Sequence, residues 1–160
     1  MRTLAFDGRV GASGDMLLGA LVAAGADPSV LDTVESSLPV EYAVDSVTER
    51  GIAATSVDVL VEGSGEGHDH DHPDDGHTHA EGHGPQRTYA EVVDLVESMD
   101  LPAGVERDAL AIFEMLGEAE ASVHGTGLAD TRFHEVGADD AIADVVGTAL
   151  LRTTSTPSGW

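Results

Sequence analysis

Val40-Glu-Tyr-Ala-Val44 and Val57-Asp-Val-Leu-Val61 decide the fold class. In both runs valine or tyrosine alternates with other residues at a period of two, the signature of a half-buried strand. Gly51 lies in the turn region between them. The predicted unit is an antiparallel hairpin with one apolar face. Upstream, Thr3 to Phe6 reads as a short strand. It leads into Asp7-Gly-Arg-Val-Gly-Ala-Ser-Gly-Asp15, a loop with glycine at 8, 11 and 14. A helix is expected near Asp15, carrying Met16, Leu17, Leu18, Leu21 and Val22 to a stop at Gly25. Asp27-Pro28 fits an N-cap followed by proline in the first turn, so Val30, Leu31 and Val34 line a short second helix before Pro39.

Downstream of the hairpin, residues 62–86 hold Gly, His, Asp, Pro and Glu and almost nothing apolar. Such a segment cannot bury enough surface to offset its ordering entropy, and a disordered insertion is expected. Thr88-Tyr-Ala-Glu91 has the capping-box pattern, starting a helix with Val92, Leu95, Val96 and Met99 on one face. Val105, Ala109, Ile112, Phe113, Leu116, Ala119 and Val123 form a core-facing stripe that Gly125 or Gly127 would end. A last helix is expected from Ala138 to Leu150, burying Ile142, Val145, Val146 and Ala149. From Arg152 to Trp160 the pattern fails. The expected architecture is mixed α/β (α+β): a small sheet of the opening strand plus the hairpin, packed with about five helices. Residues 1–151 form one domain interrupted by the 62–86 insertion, with 152–160 as a tail.

Composition excludes several chemistries. The formal net charge is −23 from 30 acidic and seven basic residues, a sign that repels nucleic acids and anionic membrane surfaces. Every basic residue is arginine. This composition is expected of a protein adapted to a salt-filled cytoplasm, where a Debye length of about 3 Å screens its self-repulsion. Without cysteine there is no thiolate metal site, iron–sulfur cluster or disulfide. Without lysine there is no P-loop lysine and no Schiff base. The amino terminus lacks a secretion signal and no apolar run reaches the ~20 residues of a membrane helix, so a cytoplasmic location is expected.

Six of the eight histidines fall between 68 and 83, as His68, His70, His72, His77, His79 and His83, interleaved with aspartates and Glu81. Neutral imidazole suits Ni, Zn, Cu and Co, and His-x-His spacing in a pliable chain lets several side chains converge on one ion. The composition marks this segment as a metal collector without naming the metal. A pliable site suits capture and release better than catalysis, which needs a fixed open position.

Two further constellations belong to the ordered part. In the glycine loop, backbone N–H groups near Gly11, Ser13 and Gly14 are candidates to receive an anion at a helix start. The loop matches neither Gly-x-Gly-x-x-Gly nor a P-loop, and Ser13 is not a nucleophile-elbow serine because Asp15 stands where glycine belongs. The simple role of Asp15 is to stabilise a helix N-terminus, and that of Asp7 to make a turn. The second constellation is Phe133-His-Glu-Val-Gly-Ala-Asp-Asp-Ala-Ile-Ala-Asp144. Asp140 and Asp144 lie four apart on one helix face opposite Ile142, Val145 and Val146. In so acidic a chain, that face is most simply solvated surface. A metal or general-base site there requires the first loop to fold over it.

Together, Phe6 to Ala20, the His-rich insertion and Phe133 to Gly147 resemble the LarC-type nickel-insertion proteins. The resemblance runs from the start of the chain to about Leu150. It implies a chelatase that inserts nickel into pyridinium-3,5-bisthiocarboxylic acid mononucleotide, with CTP consumed and manganese or magnesium as helper ion. The implied partners are that mononucleotide and a separately supplied C-terminal half or further copies of this chain. With the resemblance, Asp7, Asp15, His134 and Glu135 become candidate catalytic residues, and Gly11, Ser13 and Gly14 candidates for the substrate phosphate. His134, Asp140 and Asp144 join the six loop histidines as candidate metal ligands. Asp139 stands where relatives often carry an apolar residue and is set aside. Family members continue into a second region to which CTP chemistry is assigned, so complete insertion is expected to need more than this chain. The alternative is a non-catalytic nickel or zinc storage or metallochaperone module with the ordered domain as scaffold.

Overall fold

The computed structural model describes residues 5–6, 9, 11–49, 51–61, 85–134 and 136–154. The six loop histidines, Asp7 and Glu135 lie outside the described residues, and so does most of the 62–86 insertion. Of the proposed Thr3–Phe6 strand, only Ala5 and Phe6 are described. Neither is in a strand, and both are exposed.

The hairpin has the predicted strands: β1, Val40–Glu49, pairs antiparallel with β2, Ile52–Val61. Its register sets Val40 opposite Val61, Tyr42 opposite Val59 and Val44 opposite Val57, so the residues of the alternating pattern share one face. Glu49 pairs with Ile52, leaving a two-residue turn whose Gly51 has φ +83°, the left-handed conformation such turns require. Among the described residues this is a two-stranded sheet. Only the end near Val40 and Val57 is buried; Ile52, at the turn, is 71% exposed.

Helix α1, Gly14–Ala23, lies across β2 and against the last helix, burying Leu18 and Leu21. The approach to β2 is close: a Cβ at Gly19 would stand 2.6 Å from the Thr55 carbonyl oxygen. The Asp27 carboxylate accepts from the Ser29 N–H at 3.0 Å. The segment it caps is a 3-10 turn, Pro28–Leu31, followed by the single turn α2, Asp32–Glu35. Leu31 and Val34 are buried there as the pattern predicts.

Helix α3, Tyr89–Glu97, opens with the predicted capping box. Thr88 Oγ1 accepts from the Glu91 N–H, and the Glu91 carboxylate accepts from the Thr88 N–H at 2.7 Å. Helix α4, Ala103–His124, ends at Gly125, which adopts the left-handed cap conformation. Its buried row is Val105, Ala109, Phe113, Gly117 and Ala121, at four-residue steps. Ala119 and Val123, assigned to the core by their apolar character, are exposed, Val123 by 79%. Gly117 replaces them because Tyr89, Leu128 and Phe133 crowd its surface.

Helix α5, Asp139–Thr154, buries Ile142, Val146, Ala149 and Leu150. The helix runs past Leu151, where the sequence pattern ended it. Arg152 pairs with Asp108 of α4, and Thr154 Oγ1 accepts from the Asp27 N–H at 3.2 Å. Tyr42 crosses from the sheet to donate its buried hydroxyl to the Ala143 carbonyl at 2.7 Å. Gly147 lets the helix come that close, since a Cβ there would stand 2.8 Å from the Tyr42 oxygen. Sheet, α1, α3, α4 and α5 thus share one hydrophobic core, and no described helix is long and apolar enough to cross a membrane.

Candidate metal centre

The packing of α1 on α5 sets the start of α1 against the acidic face of α5. The Asp144 carboxylate presses on the α1 start, where a Cβ on Gly14 would overlap its Oδ2 at 2.0 Å. A side chain at 14 would therefore displace Asp144. Burial raises the Asp144 carboxyl to about 7, and the neighbouring charges of Asp15 and Asp140 add to the effect. Near neutral pH this group is divided between acid and carboxylate, able to take up or release a proton or to be ionised by an arriving cation. The expectation that Asp144 is a solvated charge is corrected. A helix wheel shows only the helix's own core face, and the cover comes from α1.

The segment proposed as an anion cradle lies at the same place. Ser13 is the N-cap by position, but its side chain makes no capping bond. Gly11 has φ +89° with open space around it. The backbone of Gly14 already faces a carboxylate.

His134 belongs to a different neighbourhood. Phe133 is buried against Phe113 and Tyr89, and its N–H donates to the Arg87 carbonyl at 3.0 Å. The next side chain therefore points outward beside the end of α4. There His134 Nδ1 lies 2.5 Å from Glu120 Oε1, and His124 Nε2 lies 3.5 Å from the same oxygen. The two imidazole centres are 5.0 Å apart. The hydrogen bond to His134 holds the Glu120 carboxyl below its ordinary range, with the charges of both histidines acting the same way. Sequence reasoning missed Glu120 and His124. Their i,i+4 spacing at a helix end was visible, but their meeting with His134 was not.

Asp139, set aside from the sequence, is buried and pairs with Arg87 at 2.7 Å, while Arg87 also donates to the Gly137 carbonyl at 3.0 Å. Together with the Thr88–Arg132 bridge, this clamps the connection carrying His134 to the chain before α3. The structure thus sets Asp144 within electrostatic reach of Asp15 and Asp140, and brings His134, His124 and Glu120 together in another place.

The description "nickel insertion protein" belongs to a family model that matches residues 4–157, a match that continues beyond Leu151. A putative nickel insertion protein of Methanococcoides burtonii is 37% identical over 148 residues, covering 92% of this chain and 33% of its own length. One from Thermomicrobium roseum is 44% identical over 151 residues, covering 92% and 32%. The pyridinium-3,5-bisthiocarboxylic acid mononucleotide nickel insertion protein of Akkermansia muciniphila is 43% identical over 154 residues, covering 94% and 35%. The chain spans about a third of the length of these curated relatives. No solved structure gives a significant match. With nearly its whole length matched, the chain belongs to the nickel insertion protein family.

Proposed function

We propose that this chain collects nickel and presents it for insertion into a pyridinium-3,5-bisthiocarboxylic acid mononucleotide. The observation that carries this reading is the 43% identity, over 94% of the chain, to the Akkermansia protein that bears this substrate in its name. The net charge of −23 draws cations to the surface. His68, His70, His72, His77, His79 and His83 supply exchangeable imidazole ligands for capture.

Asp15, Asp140 and Asp144 supply carboxylates to the activating site, with Gly11, Ser13 and Gly14 as the place for a substrate phosphate. Manganese or magnesium, like CTP, is assigned to the C-terminal region that the longer relatives carry. Asp7, His134 and Glu135 complete the set assigned to activation, and no residue of this chain is assigned to CTP. A storage module would account for the histidines alone. It would leave the half-buried, proton-retaining carboxylate of Asp144 without a purpose.

Calorimetric nickel titration in high salt tests this reading on the full chain and on the variant with all six loop histidines changed to alanine. The intact chain is expected to take up several nickel ions and the variant to lose most of that capacity. A chain that takes up no nickel, or a variant that loses none, contradicts the assignment.

A further inference from the structure

The end of α4 carries a second set of histidine and glutamate donors outside the metal-collecting loop. Glu120, His124 and His134 each offer one ligand atom, and the three atoms lie within 4.8 Å of one another. Two donors bound cis to one octahedral ion at about 2.1 Å each are about 3 Å apart. The 2.5 Å and 3.5 Å separations at Glu120 bracket that value. A small opening on one side and closing on the other would admit an ion, with the neutral His134 ring binding through Nδ1 and carrying its proton on Nε2.

Each donor is placed by something other than the cluster itself. Glu120 and His124 project one turn apart from the last stretch of the 22-residue helix α4. The helix C-terminus, with its free carbonyls, favours a cation. Gly125 turns the chain back, and the Thr126 and Thr131 hydroxyls bond at 2.9 Å, closing the return. Buried Phe133 then fixes the origin of His134. His134 is 60% and His124 46% exposed, so the face opposite the protein is open to water or an incoming ligand. Two imidazoles and one carboxylate with open positions form the donor set of an exchangeable borderline metal site, and magnesium and calcium prefer all-oxygen ligands.

We propose that Glu120, His124 and His134 form an ordered site for one borderline divalent cation, separate from the histidine loop and from the aspartate cluster, where nickel rests between capture and insertion. The choice of nickel rests on the nickel-handling reading above; the site itself rests on the donor geometry. The test uses the full-length chain carrying His68→Ala, His70→Ala, His72→Ala, His77→Ala, His79→Ala and His83→Ala, titrated with nickel chloride in high salt. That variant is expected to retain a single nickel equivalent. Adding His124→Ala or His134→Ala is expected to lower its affinity at least roughly tenfold. Thermal melts check that each variant is folded. In proton NMR, paramagnetic nickel should broaden the His124 and His134 ring signals first. Residual binding that neither substitution weakens, or a folded six-fold variant that binds no nickel, overturns this site while leaving capture by the loop in place. A parent chain that binds no nickel would overturn both.

Discussion

Two acid-bearing clusters in this molecule shift their carboxylates in opposite directions. At the α1–α5 contact, half-buried Asp144 packs against Gly14 within reach of the charges of Asp15 and Asp140, and its carboxyl is raised to about 7. At the end of α4, Glu120 stands between two imidazoles in partial contact with water, and its carboxyl is lowered. Burial near like charges makes a carboxyl that keeps its proton to about neutral pH. Exposure beside neutral or positive nitrogen makes one that is ready as carboxylate at all ordinary pH. The first holds only carboxylate oxygens, while the second mixes nitrogen and oxygen, the donor set that suits a borderline ion.

The largest effect is expected where the connection between the clusters is clamped. Asp139→Ala leaves the mostly buried Arg87 guanidinium without its partner, and should cost about 3 kcal/mol in denaturant unfolding. It should also weaken nickel binding at His134, because the same clamp holds that connection. A loss far below this would show that the two regions are positioned independently.

Asp144→Asn sharpens the contrast through pH. The folded chain keeps the Asp144 proton up to about 7, while the unfolded chain releases it near 3.9. Stability associated with the protonated acid is therefore complete below pH 4 and lost as pH rises from about 4 to about 7. The full shift corresponds to about 4 kcal/mol, which partial exposure and screening reduce to about 2 kcal/mol. The variant should be more stable than the parent by that amount at pH 8 and no more stable at pH 4. A constant difference across that range would contradict the origin given for the shift.

A smaller effect is expected outside both clusters. Thr88→Ala removes the capping box of α3 and should cost about 1 kcal/mol with no change in metal binding. The smallest belongs to His124→Ala, which should leave the metal-free unfolding midpoint at pH 8 unchanged, because the side chain is largely exposed. A marked loss of stability would give His124 a structural duty instead.

Local chemistry made much of this fold legible in the sequence. The period-two valines and Gly51 place the hairpin and its register, Thr88 and Glu91 start α3, and Gly125 stops α4. These signals act within a few residues of the structure they specify. The ligand sets were less legible because they are tertiary. Asp144 acquires its character from Gly14 and Asp15, more than a hundred residues away. Glu120 and His124 meet His134 only after a return through Gly125 and Thr131 that periodicity does not describe. Gly117 entered the core as a small residue under Phe133 and Tyr89, where a count of bulky apolar side chains pointed to Ala119 and Val123.

Anomalous diffraction at the nickel absorption edge, from crystals of the full chain soaked with nickel in the presence of excess magnesium, tests the division between the two clusters most directly. The predicted result is a nickel peak bounded by Glu120, His124 and His134 and none among Asp15, Asp140 and Asp144. Nickel seated among the three aspartates, with the end of α4 bare, would contradict it.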